Sequence, residues 1–573
     1  MSNKMALLNS APKVLPLAYL SVFVAVLPLI FFPALVCGFE IPTESDDFKL
    51  RWDNTLRYTL SQRVKGQNDA ILKSPNNDDG DRNFDVGIAS NRLDILSEVD
   101  AVYKDKYGIR LSGAGWYDQR YHDHLDNNSP STSNHLSNGQ PSVGLSNRAD
   151  RYYAGPSGEL LDAFAFGRFE IGDIPVNMRV GRHTVYWGES MLPFGGAHGI
   201  SYGQSPIDLG KALAQPGVEL KEIFRPLNQV SVQVQPLSTL SIAGQYFMQW
   251  EESRFPEAGT YFGFADPYLR GGESLISQLP LGPGGSLVPV WFGHAGDIEP
   301  HQARDWGVSA RWSPEWLGGT LGVYYRNFSD KLPQLLIDAS AGPASLPSYR
   351  FAYADNIDLY GISFAKQILG VSVGSEVSLR HNMPLLSNPA LVGIPGSPVP
   401  GRGDTAGAKG DTFHALVNFL YTINRTPLFD KADCLTEFTY SQWLHVSQGA
   451  DVFKGNAAYS GLDNVTKDAM SGALNFTPTW YQVFPGVDIS MPLSIASGLF
   501  GVSAVQTGGS KGNGSYSAGF SFDILARYTA TLNYSGFFGN YRTDPTGGIS
   551  SSGDIFALLK DRDMVTLTLK ATF

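Results

Sequence analysis

Gly199-Ile200-Ser201-Tyr202-Gly203 and Gly508-Gly509-Ser510-Lys511-Gly512 both fit G-x-S-x-G, the pattern that carries the nucleophilic serine of many hydrolases. That chemistry needs a strand–turn–helix setting to push the serine outward, and neither segment reads as one. With 62 glycines in the chain, coincidental matches are expected. A lipid or ester hydrolase using Ser201 is therefore kept as an alternative. Asn76-Asn77-Asp78-Asp79-Gly80-Asp81 has the composition of a calcium loop. With Gly80 as the sixth residue, however, the first becomes Pro75, which has no carboxylate to give. His122 and His124 are close together, but no chelating pattern with cysteine exists. No metal and no cofactor are expected. Arg402-Gly403-Asp404 reads as a turn.

Other residues suggest handling of a solute. Arg110, Asp118, Arg120, Arg168, Arg179, Arg311, Glu376 and Arg380 stand in segments where polar and apolar residues alternate. Facing one lumen, they would set a transverse field across a water-filled pore; the simpler reading is a structural charge ladder. The connection from Trp187 to Glu222 concentrates Trp187, Glu189, Tyr202, Asp208 and Glu219, the makings of an inward-folded plug or constriction, or of ion pairs that hold a loop. Ser274–Gly296 contains no Asp, Glu, Lys or Arg. It carries Leu275, Leu279, Leu287, Trp291 and Phe292, which could line a path for a greasy solute or pack as a lid. Met383–Gly401 is equally uncharged.

The elements that would position these residues are strands. In Leu93–Lys104 one face reads Leu93, Ile95, Ser97, Val99, Ala101 and Tyr103, against Asp94, Glu98, Asp100 and Lys104. Leu240, Ile242, Gly244, Tyr246, Met248 and Trp250 make a similar apolar face. Period-two alternation means one face meets an apolar medium and the other water. Connections alternate between tight turns, such as Gly172-Asp173 and Leu369-Gly370, and long polar loops, such as His122–Ser157. That rhythm predicts an all-β fold: a transmembrane antiparallel β-barrel with short periplasmic turns and long extracellular loops. The count is about eighteen strands, with about sixteen as runner-up. Asn134 and Pro289 are then expected outside the cell, Asp173 and Ser238 in the periplasm. The alternation runs to Phe573, which resembles the assembly signal of bacterial outer-membrane barrels and implies the barrel-assembly machinery as a partner.

Composition agrees. The 33 phenylalanines, 26 tyrosines and 62 glycines suit many strands, tight turns and aromatic girdles. Lys4 and Lys13 precede an apolar run, Val14 to Val36, which predicts a signal peptide over 1–38, cleaved before Phe39. An uncleaved helix is disfavoured by Pro16, Pro28 and Pro33, and a lipid on Cys37 by the bulky Val36 before it. Residues 39–573 then form a single barrel domain in which Cys434 is the only cysteine. The net charge of −11 argues against nucleic acid as a partner.

Several segments resemble a proteobacterial family, the domain of unknown function 1302. They include Asp79-Gly80-Asp81-Arg82-Asn83-Phe84-Asp85, Ser90-Asn91-Arg92-Leu93-Asp94 and Trp187-Gly188-Glu189-Ser190. Further on come Pro216-Gly217-Val218-Glu219-Leu220-Lys221-Glu222, Tyr360-Gly361-Ile362-Ser363-Phe364, Arg402-Gly403-Asp404-Thr405, Asp411-Thr412-Phe413-His414 and Pro485-Gly486-Val487-Asp488. The insertion-like Ala406–Gly410 departs from the family pattern. The resemblance implies a Gram-negative outer-membrane barrel, embedded in outer-membrane lipid and working beside inner-membrane transporters of the resistance-nodulation-division type. Together these readings predict an outer-membrane, porin-like channel, and not an enzyme. It would pass small, hydrophobic or aromatic compounds, taken up or exported without an energy source of its own. A structural or adhesive barrel with partner-binding loops is a further alternative.

Overall fold

The structure, a computed structural model, describes residues 39–573 apart from Glu44, Pro216, Gly217, Glu219, Pro283 and Gly285. The expected signal peptide and Cys37 lie outside the described residues.

Eighteen strands form the wall. The first six are β1 (Phe48–Arg63), β2 (Gly87–Tyr103), β3 (Tyr107–Asp118), β4 (Ser157–Ile171), β5 (Ile174–His183) and β6 (Leu227–Leu237). Next are β7 (Leu240–Phe247), β8 (Trp306–Trp312), β9 (Gly319–Phe328), β10 (Ile357–Ile368), β11 (Val371–Pro384) and β12 (Lys409–Ile423). Then follow β13 (Lys431–Gln448), β14 (Asp468–Phe484), β15 (in two runs, Val487–Ser490 and Leu493–Phe500), β16 (Gly514–Ile524), β17 (Tyr528–Phe538) and β18 (Met564–Thr572). β15 is broken at Met491-Pro492, where the proline has no N–H to give the ladder. Each strand pairs antiparallel with its neighbours in sequence, and β18 closes on β1 from Thr55↔Thr572 to Arg63↔Met564. Closure removes the sheet edges, so no backbone hydrogen-bonding group of an edge strand has to face lipid.

The alternation dictates which face looks out. Leu93, Ile95, Ile109, Leu111, Ile242, Tyr246, Val377 and Leu379 all point away from the barrel and are 39–50% exposed, while Asp94, Glu98, Glu376 and Arg380 point inward and are buried. A soluble barrel would show the reverse. The outward apolar belt therefore matches a lipid-facing wall of the outer-membrane type. One residue departs from the expected face. β7 ends at Phe247, and Trp250 turns into the loops, where it is buried and donates its indole N–H to the Asp330 carbonyl at 3.0 Å. A buried indole finds an acceptor there that a lipid-facing position would not supply.

Short turns gather at one rim: 104–106, 172–173, 238–239, 313–318, 369–370, 424–430, 485–486 and 525–527. In the turn after β10, Leu369 (φ 51°) and Gly370 (φ 84°) are both left-handed, the combination that matches strand twist in a two-residue hairpin. The other rim carries the long loops, 64–86, 119–156, 184–226, 248–305, 329–356, 385–408, 449–467, 501–513 and 539–563. They do not trail into solvent. Phe84, Tyr121, Tyr153, Phe255, Tyr261, Phe262 and Phe264, from three of them, belong to the largest apolar cluster among the described residues. Among the described residues, no helix is long and apolar enough to cross a membrane.

Candidate functional site

Loop 184–226 leaves the wall at β5 and turns into the barrel. It holds only short helices, Pro193–His198, Leu209–Ala214 and Leu220–Ile223, so most of its backbone polar groups need partners from elsewhere. The wall supplies them. The Glu376 carboxylate, on β11, accepts the backbone N–H of Ser190 at 3.0 Å, of Ile200 at 2.6 Å and of Glu189. Glu437, on β13, accepts those of Met191 at 2.7 Å and Leu192 at 3.1 Å. Arg380 donates to the carbonyls of Ala197 and Gly199, and Arg326, on β9, to those of Ile200 and Tyr202. Arg57, on β1, reaches Glu222 at 3.2 Å and Gln215 at 2.7 Å. With Asn418, on β12, donating to the Glu189 carbonyl, the loop is stitched to five different strands around the wall. It lies inside the lumen, and this inward-folded segment is termed the plug.

Beneath the plug, toward the short-turn rim, lies a cavity of about 1110 Å³. Its wall is one continuous stretch from β2 to β9, and its roof is Thr184, Val185, Tyr186 and Trp187. Asp100, Arg110, Arg168, Arg179 and Arg311 face it together with Phe164, Phe166 and a set of serine, threonine, asparagine and glutamine side chains. It is a wet, cationic vestibule.

The lumen charges expected from sequence separate into three groups. Arg168, Arg179, Arg311 and Arg110 line the vestibule. Glu376 and Arg380 grip the plug. Asp118 and Arg120 do neither: Asp118 accepts the N–H groups of Asn91 and Arg120, and Arg120 donates to the Ile88 and His124 carbonyls, so both fix the entry into loop 119–156. In the plug, Trp187 packs near Tyr324, the Tyr202 hydroxyl donates to Asp330 at 2.7 Å, and Asp208 caps Leu209–Ala214 and pairs with Arg254 at 3.2 Å. Glu189 lies 3.5 Å from Arg311, whereas Glu219 lies outside the described residues. The apolar segment forms a hairpin in the outer loops, pairing Leu275 with Phe292 and Leu279 with Val288. Phe292 is buried with Trp250, Tyr349, Phe351 and Tyr353, Trp291 donates to the Ser133 carbonyl, and Leu287 at the tip is 66% exposed. Phe573 exchanges both backbone hydrogen bonds with Asn54 and packs beside Tyr58.

The serine motifs do not resemble nucleophile elbows. Ser201 lies inside the plug with its hydroxyl 3.1 Å from that of Ser190, and the nearby His198 is engaged with His414 and the Gly508 carbonyl. The Asp-rich run is knitted into ion pairs: Asp81 with Arg63 and Arg562, Asp78 with Arg82. Burial, reinforced by Asp79, raises the Asp78 carboxyl to about 7, and burial raises Asp79 to about 6. Among the described residues, no group of three or more His, Cys, Asp or Glu is set to hold a metal ion.

The family described as "Protein of unknown function (DUF1302)" matches residues 17–573. The chain belongs to this family. Among curated proteins, none matches it. The solved structures it resembles include OccK1 (OpdK) of Pseudomonas aeruginosa, at 11% identity over 91% of this chain and 98% of that one, with a TM-score of 0.37. OccAB2 of Acinetobacter baumannii is similar at 9% identity over the same shares, with a TM-score of 0.40. OmpF of Salmonella typhi is similar at 10% identity over 93% of this chain and 100% of that one, with a TM-score of 0.37.

Sequence reasoning passed over Glu437, Arg326, Asn418 and Arg57, all of which hold the plug. A signal was present. Arg326 shares its inward parity with Tyr324 and Phe328, and Glu437 shares it with Thr439 and Ser441. Parity places a side chain in the lumen but does not say which loop it meets there.

Proposed function

We propose that this DUF1302 protein is an outer-membrane channel for passive passage of small solutes, hydrophobic or aromatic ones among them. The observation that carries the proposal is the pairing of a closed, lipid-faced barrel with a large hydrated vestibule under a hydrogen-bonded plug. A merely structural barrel has no need of an interior space of about 1110 Å³ open at one rim. Loop 184–226 occupies the lumen, so on this reading passage requires it to shift, and its fastenings are hydrogen bonds and ion pairs that can be exchanged for water. The apolar hairpin around Leu287 and Trp291 gives a greasy solute a first contact outside, where burial of apolar area is worth roughly 25 cal/mol per Å². A transporter of the resistance-nodulation-division type would meet the solute at the short-turn rim.

The test combines single-channel recording of the purified protein in planar bilayers with uptake and efflux of a panel of lipophilic compounds in a deletion strain. Discrete conductance steps and an altered accumulation of apolar aromatics support the reading. A silent bilayer together with unchanged accumulation rejects it and favours a barrel that serves through its loops.

A further inference from the structure

We infer that the vestibule is a binding site for an aromatic organic anion, an aryl carboxylate being the simplest case. This rests on the channel reading above and names the solute class its inner compartment selects.

The argument begins with charge. Arg110 is neutralised by Glu98, Asp100 and Asp162, and Arg311 has Glu189 at 3.5 Å. Arg168 and Arg179 differ: among the described residues neither forms an ion pair, and both are exposed to the cavity. The remaining polar lining is largely neutral, so the vestibule keeps a positive excess on the side formed by β4 and β5. A cleft with low-dielectric walls and one sign of charge concentrates the opposite ion.

The second part is shape. Across the β4–β5 pair, Phe166 stands opposite Arg179 and Arg168 opposite Asn177. The Arg179 guanidinium carbon lies over the Phe164 ring, 5.6 Å from its centre, within cation–π range. The wall therefore offers two guanidinium forks and two phenyl rings within three successive same-face pairs, Phe164 lying opposite Gly181. An inorganic anion would use the forks and ignore the rings, and a neutral aromatic would do the converse. A molecule carrying a carboxylate on an aromatic body uses both, because a guanidinium presents paired N–H donors that match the two carboxylate oxygens. The neighbouring Asn177, Gln233 and Ser231 supply further neutral donors, and Asp100, the carboxylate in the lining, is engaged by Arg110 at 3.2 Å.

The experiment uses the full protein in detergent for titration calorimetry and in bilayers for reversal potentials, with benzoate, benzyl alcohol and inorganic phosphate as probes. Wild type is expected to bind benzoate in preference to both others and to be anion-selective. Arg168→Gln with Arg179→Gln should weaken benzoate binding by about tenfold and lower the anion selectivity. Arg168→Lys with Arg179→Lys should keep the selectivity and recover only part of the benzoate affinity, since an ammonium lacks the planar fork. Equal binding of benzoate and benzyl alcohol, phosphate binding as tightly as benzoate, or unchanged affinity in the double Gln variant each overturns the inference. The two readings fail separately. Conductance without benzoate preference removes the site and leaves the channel; benzoate binding with no conductance in any variant removes the channel and leaves the site.

Discussion

The Glu376 carboxylate accepts the backbone N–H of Ile200 at 2.6 Å, across 176 positions of sequence. It binds Glu189 and Ser190 in the same way, so one wall side chain replaces the secondary structure that this part of the plug lacks. Glu437 repeats the arrangement two wall strands away. The plug is therefore held by acceptors fixed in the barrel.

Glu376→Ala leaves the buried N–H groups of Ser190 and Ile200 and the half-buried one of Glu189 without an acceptor, a buried one costing ~1–3 kcal/mol. Loss of even one such increment shifts a closed-to-open equilibrium about tenfold. The expected outcome is a higher open probability and noisier conductance in planar bilayers, with a smaller change for Glu376→Gln, which keeps one acceptor oxygen. Identical recordings from wild type and Glu376→Ala would mean that the plug is not the gate.

The outer hairpin gives a different prediction. Leu287→Ser with Trp291→Ser removes the exposed tip and the indole that tethers the hairpin to Ser133. Accumulation of a lipophilic aromatic should fall while single-channel conductance in salt changes little. Proportional changes in both would make the hairpin a steric gate, and no change in either would make it a lid without a part in recognition.

Topology is checked by cysteine labelling of intact cells. Asn134, expected outside, belongs to a long loop but is itself buried, so Asn138 at the neighbouring tip is the better probe. Asn138→Cys and Pro289→Cys should label, whereas Asp173→Cys and Ser238→Cys, in short turns on the opposite rim, should not. Labelling of Asp173→Cys in sealed cells would reverse the orientation.

The outer loops have a pH-sensitive fastening. The hydrogen bond that His135 Nδ1 donates to the Glu273 carboxylate at 2.7 Å raises the His135 pKa above its ordinary value. For Glu273, burial alone would raise the pKa, but the His135 and Leu136 hydrogen bonds outweigh it and leave the carboxyl lowered. A raised histidine contributes stability that is complete below its unfolded value of ~6.5 and is lost as pH rises through the higher folded value. Amide exchange around Leu136, normalised for its intrinsic rate, should therefore accelerate above pH ~6.5. His135→Gln should remove that dependence; a wild-type profile that stays flat would show that the pair contributes nothing.

The barrel was legible from sequence because its code is local. Whether Ile95 or Asp94 faces lipid depends only on parity along one strand, and the turn at Leu369-Gly370 depends on two residues. The inward parity of Glu376 and Arg380 followed from the same rule, as did the alternation of short and long connections. Their partners did not. Glu376 meets Ile200, and Arg57 meets Glu222, only because closure of the sheet brings strands far apart in sequence around a common lumen and a loop folds into it. Local pattern also misplaced Trp250, whose parity suited lipid until the chain left the sheet at Phe247 and a buried acceptor claimed its N–H. Likewise, Arg110, Arg168, Arg179 and Arg311 look alike in sequence. Only the tertiary structure shows that carboxylates form ion pairs with the first and last but, among the described residues, not with the middle two, because ion pairing is decided by distance through space and not by spacing along the chain.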